Sequence, residues 1–202
     1  TVNGFELGVF AQDRWRVGSR TTFELGFRID RDAVIERLNW SPRVGVAIGV
    51  LDRGRGVVRG GVGKFTQRTP LNVGAFASYE PREVTRFGAD GVTELGEPIQ
   101  YRHVSLPGLR TPEAWVGNLE WNGRFGRRQL LKVAFLHRRG SHEFIVTPAP
   151  AAGELQLSGA GRSRYQEFEV TTRHLGGERK DITVSYVWSR GLADLNNYDQ
   201  FF

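Results

Sequence analysis

Val44, Val46, Ile48 and Val50 alternate with Arg43, Gly45, Ala47 and Gly49, and the same two-residue period returns repeatedly along the chain. Phe23, Leu25, Phe27 and Ile29 oppose Thr22, Glu24, Gly26, Arg28 and Asp30, and Ile182, Val184, Tyr186 and Trp188 repeat the pattern. Successive side chains of a strand point to opposite faces, so this period produces a ribbon with one apolar and one polar side. Wound into a helix, the same residues scatter their apolar groups around the cylinder and bury nothing coherent. The chain is thereby constrained to an all-β fold.

Strand-like segments fall at 6–17, 22–30, 43–51, 57–67, 115–125, 129–139, 164–174 and 182–189. The connections between them alternate in length: short at 18–20, medium at 31–40, short at 52–56, very long at 68–114, short at 126–128, long at 140–163 and short at 175–179, before an open polar stretch from 190 to 202. Antiparallel strands place every second connection at the same end, so short and long connections segregate to opposite ends. That sorting is expected of an up-and-down transmembrane β-barrel, whose periplasmic turns are short and whose extracellular loops are long. Prolines 70, 81, 98, 107, 112, 148 and 150 all fall in the longer connections, where no ladder donor is lost. The longest of these, 68–114, exceeds what a structureless connection normally reaches, and an extra hairpin within 92–104 is expected to organise it.

Composition fits a strand-built membrane wall. The mean hydropathy is -0.38, and no run approaches the roughly 18 apolar residues of a membrane helix. Alternation reconciles a polar average with a lipid-facing surface, because every second residue faces a wet interior. There are no cysteines, hence no disulfide frame, thiolate metal site or cysteine nucleophile. The first five residues have neither a basic segment nor an apolar core of signal-peptide type, as expected if an export address has been removed. The net charge of +6 comes mostly from arginines dispersed along strands and turns, whereas nucleic-acid binders concentrate theirs on one face. No nucleic-acid partner is expected.

Few residues combine into candidate chemistry. The run Gly60 to Thr66 superficially resembles a phosphate-binding loop, but Val58 stands where its first glycine belongs and Phe65 where Ser or Thr is required. Gly61 and Gly63 instead share a strand face and would admit close approach of a neighbouring segment. His103, His137, His142 and His174 lack the spacing of a zinc motif, so no metal and no cofactor is expected. Asp30 with Asp32, and Glu167 with Glu169, are same-face carboxylate pairs without an accompanying nucleophile. They suit a polar ladder with Arg28, Arg43, Arg164 or Arg173 better than acid–base catalysis. The chain is not expected to be an enzyme, and no catalytic residue is assigned.

Trp15, Trp40, Trp115, Trp121 and Trp188, with Tyr165 and Tyr186, lie mostly near strand ends, where amphipathic rings suit the headgroup level of a bilayer. Ordinary core or loop packing is the alternative. Phe76, Tyr79, Phe87 and Tyr101 sit in the outward loops, either contacting a ligand or packing the loop on itself.

The blocks F-A-Q-D-x-W at Phe10–Trp15, G-x-R-x-D at Gly26–Asp30, S-P-R-x-G at Ser41–Gly45 and R-x-G-x-G-x-F at Arg59–Phe65 follow one another in order. Together with Ser185–Ser189 and Asn196–Asp199 they resemble the barrel of TonB-dependent outer-membrane receptors, most closely the Oar-like receptors that carry a carboxypeptidase-regulatory-like domain before the plug. The resemblance implies a plugged barrel of about 22 strands, of which about eight are present here. It implies uptake of a bulky nutrient at the cell outer membrane, with outer-membrane lipid and lipopolysaccharide around the wall, and a plug domain and TonB as partners of the full-length protein. Residues 1–202 would then be a partial barrel domain lacking its plug and C-terminal strands, with 68–114 as a long extracellular loop. The family lends no individual ligand residues to these positions. Two other readings stay open: a small closed outer-membrane barrel with a structural or adhesive role, and a soluble carbohydrate-binding β module.

Overall fold

The computed structural model describes residues 6–51, 55–176 and 180–194. The block at 196–199 lies outside them. Eight long strands form one antiparallel sheet in chain order: β1 (Leu7–Val17), β2 (Thr21–Arg31), β3 (Leu38–Gly49), β4 (Gly56–Thr66), β7 (Glu113–Phe125), β8 (Gln129–Ala149), β9 (Glu154–Leu175) and β10 (Asp181–Ala193). Two short strands, β5 (Arg82–Val84) and β6 (Ile99–Ser105), belong to the connection between β4 and β7. Every expected segment is a strand, and most extend by one to a few residues. β1 and β10 do not pair, so the described sheet is open.

Register fixes which residues share a face. One row runs Gly60, Leu119, Phe135, Phe168, Trp188 across β4, β7, β8, β9 and β10, and another runs Leu25, Val44, Val62 across β2, β3 and β4. Many of the exposed large hydrophobics occupy this face, among them Val9, Trp15, Phe23, Ile48, Leu119, Phe135, Val184 and Trp188. An apolar face that spans a whole sheet and is left uncovered is what an element built to meet another apolar phase presents. Of the girdle candidates, Trp15, Trp40, Trp115, Trp121, Trp188 and Tyr186 share it; Tyr165 points the other way and donates a 2.5 Å hydrogen bond to Glu167.

The short turns are tight. Gly18 and Gly126 hold φ values of 64° and 58°, a left-handed conformation that a Cβ disfavours. Gly61 answers a different need: a Cβ there would lie 3.0 Å from the Val44 carbonyl oxygen and 3.4 Å from the Asn118 side chain, so adjacent strands pack closely at this point.

At the opposite end the connections are not open loops. The segment expected as a connection at 140–163 is an extension of β8 and β9 into one long hairpin, closed by a 3-10 turn at Pro150–Ala152 and Gly153 in the left-handed region. The segment reads as a connection because Pro148, Pro150 and Gly153 punctuate it, although Phe144, Val146, Leu155 and Leu157 alternate with less buried neighbours. A bulge marks the transition: the register shifts at Ser141/Glu143 and again at Glu143/Ile145, and His142 takes φ 59°. The expected hairpin at 92–104 is instead β5 pairing with β6, and β6 runs parallel to the tip of β9 from Arg102↔Glu154 to Ser105↔Leu157.

Candidate functional site

The buried core of the described chain lies in these connections, away from the wall. Val73 and Phe76 come from a short helix (Leu71–Ala75) and the 3-10 turn after it, Tyr101 from β6, Phe144 and Val146 from β8, and Leu155 and Leu157 from β9. Phe76, Val146 and Leu157 have no exposed surface. Val34, Ile35, Val84, Ile99 and Leu109 pack around them, so the β2–β3 connection, the β4–β7 connection and the β8–β9 hairpin form one cap with its own apolar centre. Of the four loop aromatics, Phe76 and Tyr101 are core residues, whereas Tyr79 and Phe87 remain exposed.

Asp32 ties the cap together. Its carboxylate accepts from the Thr69 hydroxyl at 2.5 Å, the Thr111 hydroxyl at 3.1 Å, and the amides of Val34 and Ile35 at 2.9 Å each. Asn39 donates to Thr111 at 3.0 Å, extending the network to β3. Burial alone would raise this carboxyl's pKa, but the hydrogen bonds from Ile35, Thr69, Val34 and Thr111 outweigh it and hold the group below the usual aspartate range. A carboxyl depressed on folding contributes stability above its unfolded pKa of about 3.9, and that contribution is lost as pH falls through the lower folded value. Asp32→Ala, which strands two buried hydroxyls, is expected to loosen the cap by about 1–3 kcal/mol and to abolish this acid sensitivity. Hydrogen exchange at the Val34 and Ile35 amides, followed from neutral to acid pH in both proteins, measures it.

Beneath the cap, on the polar side of the sheet, a cleft of about 750 Å³ opens between β1 and β4. Arg28, Asp30, Arg43, Phe10, Phe65 and Arg68 line it among others, and its cationic groups outnumber its carboxylates. Arg28 bridges to Asp30 at 2.6 Å, Arg43 donates to Gln12 at 2.5 Å, and Arg68 reaches Glu6 at 2.7 Å. These guanidiniums are held in place yet solvent-facing, which suits binding of anionic or hydroxyl-rich solutes rather than covalent chemistry.

Further down the same face the carboxylates form ladders. Arg14 pairs with Glu24; Arg59 meets Glu120 at 3.3 Å; Lys132 lies 3.9 Å from Glu120 and 2.9 Å from Glu169; Arg173 pairs with Asp181. Asp30 and Asp32 part company, one on the wall and one in the cap. Arg164, expected in the polar ladder, sits on the apolar face instead, opposite Arg139. The four histidines are likewise dispersed: His103 is buried in the cap with its ring edge-on to Phe76, His142 sits at the bulge, and His137 and His174 share the apolar face. The Asp32 latch was invisible in the sequence because its partners are 37 and 79 residues away; the cue that existed was Asp32 immediately before a turn, where its side chain can accept from following amides.

The described chain is thus a nearly all-β fold: one open, mostly antiparallel sheet, apolar on one face and polar on the other, capped at one end. Among solved structures, the chain is similar to the outer membrane transporter YddB from Escherichia coli, with TM-score 0.66 and 15% identity over 92% of this chain and 24% of that one. It is similar to the RagAB peptide importer in its open-open state (TM-score 0.67, 13% identity, 96% and 22% covered) and to the ferric enterobactin receptor PfeA from Pseudomonas aeruginosa (0.65, 13%, 90% and 26%). The chain thus shares its fold with a segment of outer-membrane transporters and spans about a quarter of their length. No family model and no curated protein matches the sequence.

Proposed function

We propose that this chain is part of the wall and outward cap of a TonB-dependent outer-membrane receptor that takes up a bulky nutrient. In the complete protein a plug domain would close the lumen and TonB would supply energy. The observation that carries the reading is a co-location: an uncovered apolar face continues across eight antiparallel strands, and every long connection packs into a single cap at one end. The likeness to proteins named as outer membrane transporter, peptide importer and ferric enterobactin receptor supports it. The order of the four sequence blocks supports the Oar-like branch. The cap and the cationic cleft beneath it would receive the ligand, the polar ladders would line its route, and no bond in the ligand would be broken. The small closed barrel is disfavoured because β1 and β10 do not pair, and the soluble module because its apolar face would meet water.

The test is insertion. Placed in vesicles whose acyl chains are brominated, the chain is expected to lose much of its tryptophan fluorescence, since Trp15, Trp115, Trp121 and Trp188 lie on the apolar face. A water-soluble monomer whose emission ignores the brominated lipid would overturn the proposal.

A further inference from the structure

Within the strands, the cations of the apolar face all lie toward the cap: Arg31, Lys64, Arg139, Arg162, Arg164 and Arg190. Arg139 stands opposite Trp115 on β7 and Arg164 on β9, while Arg190 on β10 stands opposite Gln166, one two-residue step from Arg164. All three share the face of Phe135, Phe168 and Trp188, but lie beyond that row on the side of the cap, within about 7–14 Å of it by strand rise. All three are exposed. Five cations of the polar face, Arg14, Arg28, Arg59, Lys132 and Arg173, each meet a carboxylate. Arg139, Arg164 and Arg190 form no ion pair or side-chain hydrogen bond among the described residues. Lys64, on the same face, is already committed to Glu113 at 2.6 Å and lies over the Trp40 ring. A depression of about 480 Å³ joins His137, Arg139, Arg162, Arg164 and Leu192, and its one carboxylate, Asp194, accepts from the Arg162 amide.

A guanidinium is costly in hydrocarbon and favourable at the headgroup level, where its planar fork matches a phosphate. Three unpaired guanidiniums on adjacent strands, just beyond an apolar band and beside aromatic rings, are placed for that level. We propose that Arg139, Arg164 and Arg190 form a binding site for the phosphorylated headgroup of an outer-leaflet lipid. The site anchors the wall at its depth below the cap. The inference rests on the membrane-wall reading above, since only a chain with this face in lipid would bring the strip to a headgroup.

The experiment uses the 202-residue chain with phosphatidylcholine vesicles alone, with vesicles that also contain bisphosphorylated lipid A, and with vesicles containing the dephosphorylated form. Binding to the phosphorylated vesicles should exceed binding to the other two and should weaken with added salt. Arg139→Gln, Arg164→Gln and Arg190→Gln together should remove the excess, roughly a hundredfold at about fivefold per arginine, and leave binding to phosphatidylcholine unchanged. Lysine at all three positions should keep most of it. If the glutamine triple does not insert, Arg190→Gln alone on the last strand tests the same site with a loss of about fivefold. Equal binding of wild type to phosphorylated and dephosphorylated lipid, or an undiminished excess in the variants, overturns the site while leaving the wall intact. Failure of the wild type to enter phosphatidylcholine vesicles overturns the wall, and the site with it.

Discussion

Phe76→Ala is expected to release the cap while the sheet beneath it stays formed. The ring has no exposed surface and stands edge-on to His103 with centroids 4.9 Å apart, among Val73, Tyr101, Val146 and Leu157. Truncating a phenylalanine so enclosed costs about 3–5 kcal/mol, from lost transfer energy and from the cavity left behind. Beyond the Asp32 hydrogen bonds to Thr69 and Thr111, the β4–β7 connection is held by short ladders: β5 pairs with β6 over three residues, and β6 with β9 over four. With such short ladders, loss of the apolar centre is not compensated by backbone hydrogen bonds. Limited proteolysis within 80–98 should accelerate strongly, while the strand signal in circular dichroism persists. Phe87, half exposed at 50%, is the comparison, and its alanine variant should change cleavage little. Coincident loss of cap and sheet in Phe76→Ala would show that the two are one cooperative unit.

How much of this was legible in the sequence follows from where water and lipid impose a pattern. Each wall strand meets two different environments, so alternation is forced on it, and Thr22 to Ile29 or Ile182 to Trp188 disclose both strand and face. In the cap that constraint is absent. Phe144, Val146, Leu155 and Leu157 still alternate, but Pro148, Pro150 and the glycines around them read as loop, so the sequence predicts a connection where the structure forms a hairpin. The polar contacts divide in the same way. Arg28 with Asp30 is a same-face neighbour two residues apart and could be anticipated; Asp32 with Thr69 and Thr111 depends on three connections meeting and could not. Arg164 differs from expectation because segment 164–174 opens on it ten residues after β9 begins, where Arg162 and Arg164 share a face that is apolar only lower down. A charge at the edge of an apolar band looks in sequence like a charge on the polar side.

The band itself supplies the second large effect. Val170→Arg is expected to destabilise the inserted chain by about 2–4 kcal/mol, the cost of a cation at the middle of a lipid-facing strand. Val170 stands opposite Val133 on β8 and Tyr186 on β10, with Phe168 and Thr172 above and below it on the same face, so a guanidinium there finds no carboxylate. Ala134→Arg makes the decisive comparison. Ala134 stands opposite Glu120 and Glu169 on the polar face, where an added cation joins an existing ladder, and its arginine variant should stay within about 1 kcal/mol of wild type. Urea-induced unfolding from lipid vesicles measures both. The two arginines lie on neighbouring strands of one sheet, so a difference in penalty larger than the roughly 1 kcal/mol that separates strand propensities reports the medium each face meets. Equal penalties would mean that both faces see water, and the apolar band would then need a protein partner rather than a bilayer to cover it.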